Sequence, residues 1–223
     1  MTISERLVKS EQEIFDQYTN HPFVRGIGTG DLDKEKFCYY LIQDYLYLMD
    51  YARVFAIGAA KAKSLKTMNI FSNYVSQITS GEMDIHRAYM ERMGISVEDV
   101  ANAKVALENI SYTSYMIRIA YEEDEAEIAA AILSCAISYE IIARNLLMGL
   151  PESKDHPFYG EWIRGYTSEA YHQENLELME LLDELTAHYS EDQIAHLMEI
   201  FHMCTRYEGA FWDMAWNYEK GNL

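Results

Sequence analysis

Apolar side chains recur every three or four residues along almost the whole of this chain, and little interrupts them. Successive residues of an α-helix turn by about 100°, so this spacing lays a continuous apolar stripe along one helix face. A half-buried strand needs strict alternation instead, and no run of four or more β-branched residues bounded by turn signals occurs. Three prolines and eleven glycines are the only strong breakers in 223 residues. The spacing predicts helical segments near 3–20, 33–63, 66–93, 97–121, 124–149, 157–188 and 190–219. Gly26, Gly28 and Gly30 read as a turn before Asp33, which is placed to cap the second segment. Gly94 closes one helix before Ser96 opens the next, with Asp99 three residues on. Gly149 to Ser153 ends another, and Ser190 with Gln193 makes a capping-box pattern for the last. No internal repeat, low-complexity tract or linker divides the chain. The expected fold is therefore all-α, a single domain over residues 1–223 built as a bundle of about seven to eight helices.

Composition narrows the function classes. With 49% hydrophobic and 13% aromatic residues, 18 of them Tyr, the chain can bury a core that contains pockets, and disorder is excluded. Thirty-six acidic against 18 basic side chains give a formal net charge of -18, which repels phosphate backbones and anionic membrane surfaces. Neither nucleic acid nor membrane is an expected partner. The N-terminus MTISERLVKSEQEIF has no apolar signal region, and no uninterrupted apolar stretch reaches the roughly eighteen residues of a spanning helix. A cytoplasmic protein is expected. Its three cysteines, Cys38, Cys135 and Cys204, are odd in number and widely spaced, unlike a disulfide framework or a metal knuckle, and are read as reduced.

Three stripes carry polar residues where apolar ones belong. The first runs Phe37, Tyr40, Leu41, Asp44, Tyr47, Leu48, Tyr51, Phe55, with a carboxylate at the centre of an aromatic face. The second runs Ile128, Ile132, Cys135, Tyr139, Ile142, Leu146, setting a thiol and a phenol one turn apart on the same side. The third runs Ile194, Leu197, Phe201, Cys204, Glu208, Phe211, Trp212, Ala215, so Glu208 also faces inward. An unpaired buried carboxylate costs several kcal/mol and neutralises unless something binds it. Asp44 or Glu208 alone fits a structural network with Tyr hydroxyls or an Arg such as Arg53 or Arg144 equally well. A lone Cys135 is most simply core, since buried free cysteines are mostly inert. Convergence is what favours a site: two acids, a thiol and several phenols on inward faces exceed what packing requires, and point to one chamber for a small ligand.

A second constellation competes with the first. Glu82 and His86 lie one turn apart on the stripe Phe71, Val75, Ile78, Glu82, Tyr89, and His172 follows in YHQENLE. Carboxylate and imidazole at that spacing can hold iron in a helical bundle, which would make an oxygenase. The usual di-iron pattern repeats Glu-x-x-His on two helices, and no such pair is present; a Glu82 to His86 hydrogen bond is the simpler reading. No Gly-rich phosphate loop, GxSxG or HExxH is present, and no metal or cofactor is expected.

Five blocks in order, HPFVRGIGTGDLDKEKF, QDYLYLMDYARVFAIGAAKA, the helix of Cys135 and Tyr139, WIRGYTSEAYH and YEGAFWDMAW, span essentially the whole chain. Together they resemble the TenA proteins, known as thiaminase II or aminopyrimidine aminohydrolase. The resemblance implies a haem-oxygenase-like all-α fold without haem, assembled as a homotetramer. It implies hydrolysis of thiamine, or of the 4-amino-5-aminomethyl-2-methylpyrimidine left by thiamine breakdown, to 4-amino-5-hydroxymethyl-2-methylpyrimidine. It also implies roles: Cys135 as nucleophile, Glu208 as proton donor and acceptor, and Tyr47 as activator of the cysteine. Asp44, Tyr139 and Tyr166 would bind the pyrimidine, Tyr112 would line the pocket, and Phe211 would be a stacking wall. Tyr112 and Tyr166 come from the resemblance alone. A pyrimidine-binding regulatory protein without turnover is the alternative from another class.

Overall fold

The computed structural model describes residues 1–219, leaving out the side chains at positions 81, 82, 84, 85 and 97. Twelve α-helices and no strand occur among these residues. They are α1 (Ile3–Ser10), α2 (Gln12–Thr19), α3 (Pro22–Thr29), α4 (Lys34–Lys61), α5 (Leu65–Gln77), α6 (Met83–Arg92), α7 (Val97–Asn102), α8 (Leu107–Glu122), α9 (Glu125–Gly149), α10 (Gly160–Tyr166), α11 (Glu169–Leu185) and α12 (Glu191–Trp216). A π-helical turn, Ile78–Glu82, joins α5 to α6, and a 3-10 turn, Pro151–Asp155, follows α9.

The all-α expectation holds, but the helix number is twelve rather than seven or eight, and most of the extra breaks have a local cause. Between α1 and α2, Glu11 leaves helical geometry (φ -102°, ψ 6°), and its carboxylate is buried against the Ser10 hydroxyl and the His202 ring. Pro22 lacks an N–H and opens α3, while His21 caps it by accepting the Phe23 N–H at its Nδ1. Gly26 and Gly28, read from sequence as turn residues, are helical. A Cβ on Gly28 would come 2.9 Å from a Leu146 methyl, so glycine there permits close packing on α9. Gly30 does make the turn, in the left-handed region at φ 80°. Ala103 is extended, separating α7 from α8, and the buried Gln43 side chain fills the gap: its amide donates to the Lys104 carbonyl and its oxygen accepts the Ala106 N–H. The capping boxes at Ser96 with Asp99 and Ser190 with Gln193 form as expected.

Two compact units divide the chain, at positions where the sequence carries no linker. One comprises Met1–Asp33 and Ala129–Asp213, with a core that includes Leu7, Phe15, Phe23, Ile27, Leu182 and Phe201. Within it, Ser134 of α9 and Thr205 of α12 form a buried hydroxyl pair, 3.0 Å apart. The other comprises Lys34–Ile128 and the chain from Met214, with α4 packed on α5, α6 and α8 around Phe37, Tyr40, Phe55, Phe71 and Met116. In α9 every residue from Glu125 to Glu140 is buried, the signature of a central helix. By length and composition alone α9 could cross a bilayer, but 89% of its most apolar window is buried inside the protein.

Candidate functional site

In the unit built on α4, the whole aromatic stripe from Phe37 to Phe55 faces inward, and Asp44 is buried at its centre. Its partner is neither a tyrosine nor Arg53, which is exposed and pairs with Asp50 on its own helix. Oδ2 of Asp44 lies 2.6 Å from Nε2 of the buried His86 on α6. The π-helical turn explains why the sequence did not reveal this. A π turn takes an extra residue, so the inner stripe steps from Ile78 to Met83 and on to His86, Tyr89 and Met90, all buried. A plain α-helical register sends it through Glu82 instead. The Glu82 side chain, proposed as an iron ligand or as the partner of His86, lies outside the described residues. One turn beyond Asp44, the Tyr47 ring sits 5.1 Å from Tyr112 and 5.4 Å from Tyr51, and its hydroxyl donates to Sδ of Met116 at 3.4 Å. Tyr112, which periodicity alone did not single out, is fully buried there.

In the unit built on α9 and α12, Tyr139 is the hub of an aromatic nest. Tyr166 lies 4.7 Å from its ring centre, Trp212 5.2 Å and Trp162 6.1 Å, and Trp162 and Tyr166 meet edge to face at 4.9 Å. Such tilted and edge arrangements are the favourable ones for aromatic quadrupoles. Cys135 is buried one turn before Tyr139, and Glu208 and Phe211 are buried on α12. Trp162 went unremarked in the sequence because α10 is too short to display a stripe.

Glu208 has company that the sequence did not reveal. Tyr18 of α2 donates its hydroxyl to the Thr205 carbonyl at 2.9 Å. Gly209 makes room for it, since a Cβ there would lie 2.4 Å from the Tyr18 oxygen. Burial first, and the Glu208 charge second, push both the Tyr18 phenol and the Cys204 thiol up. Glu208 therefore stands among groups that hold their protons at neutral pH.

Glu140, next to Tyr139, organises a second polar cluster. Its carboxylate accepts from Asn175 Nδ2 and Arg144 Nε, both at 2.6 Å, and lies 2.6 Å from Nδ1 of His172. Asn175 and the Tyr171 hydroxyl also donate to the Ala136 carbonyl, at 3.4 and 3.0 Å, fastening α11 to the turn of α9 that carries Cys135. The only sequence signal was the four-residue spacing of Glu140 and Arg144. His172 and Arg144 thus find their partner here. His86 and His172, paired above as iron ligands, are each engaged by a different carboxylate, and no group of three His, Cys, Asp or Glu side chains with metal-holding geometry occurs among the described residues.

Comparison with known proteins accords with the architecture. An aminopyrimidine aminohydrolase of Halalkalibacterium halodurans is 42% identical over 222 residues, covering 100% of this chain and 99% of the relative. The solved structure of a TenA family transcription regulator from Silicibacter sp. TM1040 superposes with a TM-score of 0.89 at 26% identity, covering 97% of both chains. A domain of Shewanella denitrificans described as having a haem-oxygenase-like fold superposes at 0.75, with 18% identity over 94% of this chain and 91% of that one, and bears out the expected fold. The model of the TENA/THI-4/PQQC family matches residues 8–218, and the chain belongs to that family.

Proposed function

We propose that this protein is an aminopyrimidine aminohydrolase of the thiaminase II type. It adds water to 4-amino-5-aminomethyl-2-methylpyrimidine, releasing ammonia and 4-amino-5-hydroxymethyl-2-methylpyrimidine, and cleaves thiamine in the same way with the thiazole as leaving group. The observation that carries the reading is the likeness to an aminopyrimidine aminohydrolase over the full length of both chains. The buried acids and the aromatic nest around Tyr139 support it, because they suit a flat, amidine-like ring with a donor edge.

The chemistry accounts for the residue types. The Cys135 thiolate adds to ring carbon C6 while a ring nitrogen takes up a proton, and the released electron pair expels the group on the 5-methylene. Water adds to the exocyclic methylene, and departure of the thiolate restores the aromatic ring. Glu208 moves the protons, a task suited to a carboxyl group in a dry aromatic setting. Asp44 accepts from the amino-bearing edge, Tyr139, Tyr166 and Phe211 hold the ring, Tyr112 lines the site, and the Tyr47 hydroxyl assists thiolate formation. No cofactor is required. The enzyme acts as a cytoplasmic homotetramer without nucleic-acid or membrane partners, in keeping with its net charge of -18.

Steady-state kinetics of the purified protein on both compounds, with and without excess chelator, test the reading. Turnover of either compound is expected, with kcat/KM ranking the two. Cys135→Ser should abolish turnover while the pyrimidine product still binds within roughly tenfold of the parent. A fully active serine variant would exclude covalent catalysis, and a parent inert towards both compounds would overturn the assignment.

A further inference from the structure

Two helix stripes in the α4 unit are each interrupted at one point, and the interruptions meet. On α4 the residues around Asp44 are Tyr40, Leu41, Tyr47 and Leu48; on α6 the residues around His86 are Met83, Tyr89 and Met90. Phe37 and Tyr89, 5.6 Å apart, brace the same two helices one to two turns away. A carboxylate and an imidazole placed in such surroundings define each other's state. An ionised carboxylate has no hydrogen to give, so in the 2.6 Å contact the Nε2–H of His86 donates and Oδ2 of Asp44 accepts.

We propose that His86 is a positioning residue that locks Asp44 as a pure hydrogen-bond acceptor, making the pair a selector for the amino-bearing edge of a pyrimidine against its 4-oxo counterpart. The inference rests on the reading of Asp44 as a pyrimidine-binding residue. With Oδ2 committed to His86, the carboxylate plane is set and Oδ1 is the oxygen left to meet ligand. A 4-amino group offers a donor to that oxygen. A 4-oxo group offers a lone pair, which an acceptor-only carboxylate repels. An unlocked Asp44 rotates, and Oδ1 loses the fixed aim on which a hydrogen bond from the 4-amino group depends. The discrimination therefore resides in the pair.

The test is the dissociation constant of 4-amino-5-hydroxymethyl-2-methylpyrimidine and of its 4-oxo analogue, by calorimetry, for the parent and four variants. The parent should prefer the amino compound by about 100-fold or more. In His86→Gln the amide nitrogen falls near the position of Nε2, and most of that preference should survive. In His86→Phe the amino compound should lose roughly 10- to 100-fold in affinity, the span of one hydrogen bond to a charged group, while the oxo compound changes by less than about threefold. His86→Asn places its amide one bond short of Asp44 and should behave like the phenylalanine variant, so it serves if that variant does not fold. Equal behaviour of the Gln and Asn variants, or an unchanged preference in His86→Phe, would overturn the proposal. Asp44→Asn separates the two levels. If it alone erases the preference, the binding role of Asp44 stands and the role of His86 falls; if it too leaves the preference intact, both fall.

Discussion

Glu140→Gln is the perturbation whose cost can be worked out most directly. The carboxylate is 4% exposed, and its three partners differ in their own exposure: Arg144 is 42% and His172 37% exposed, whereas Asn175 is buried. The two exposed pairs are screened by solvent and contribute about 0–1 kcal/mol each. The Asn175 bond to a charged acceptor inside the protein is worth about 1.5–3 kcal/mol. A glutamine keeps the shape and can still offer one oxygen to Asn175, but its amide then faces the donors of Arg144 and His172. The loss should be about 1–3 kcal/mol, which for a chain of this size lowers Tm by roughly 3–10 °C. Urea denaturation should show the same change as a lower midpoint with an unchanged slope. The ranking of single variants is the sharper check. Asn175→Ala, which strips the buried bond and one donor to the Ala136 carbonyl, should cost more than Arg144→Ala, which removes only a screened one. If Arg144→Ala proves the costlier, or Glu140→Gln stays within about 0.5 kcal/mol of the parent, the cluster is not held by its buried half.

Three further outcomes follow from the packing around Glu208. Gly209→Ala should destabilise by about 1–2 kcal/mol despite the better helix propensity of alanine, because its Cβ would displace the Tyr18 ring; the penalty should shrink in a Tyr18→Phe background, and urea midpoints of the four proteins measure the coupling. Glu208→Gln should leave a folded protein whose hydrolysis is slower by roughly 10²- to 10⁴-fold, read from kcat with circular dichroism as the folding control. Burial and the Glu208 charge keep the Cys204 thiol protonated beyond the ordinary thiol range, so iodoacetamide at pH 8, followed by peptide mass spectrometry, should modify the partly exposed Cys38 well before Cys204, which it should reach only on unfolding; early labelling of Cys204 would contradict its burial.

What the sequence could and could not disclose follows from the range of each interaction. Helical periodicity is local, and it placed Asp44, Cys135, Tyr139 and Glu208 on buried faces correctly, because each lies inside a long helix whose register nothing disturbs. Breaks were legible only where a single residue enforces them, as Gly94 does, and Pro22 could have been read the same way. The partner of each buried polar group was not legible, because it arrives from elsewhere in the chain. His86 comes 42 residues after Asp44, Asn175 comes 35 after Glu140, and Tyr18 precedes Thr205 by 187. Between Asp44 and His86 the difficulty is doubled. The π-helical turn rotates everything after Ile78, so a stripe extrapolated at 3.6 residues per turn pairs His86 with its own helix instead of with α4. An inserted π turn costs hydrogen-bond geometry and is retained where the redirected side chain matters. Here the redirected side chain is the one that meets the single carboxylate on the aromatic face of α4. Straightening the turn by deleting one residue of Ile78–Glu82 should therefore separate His86 from Asp44, and pyrimidine affinity should fall as it does in His86→Phe.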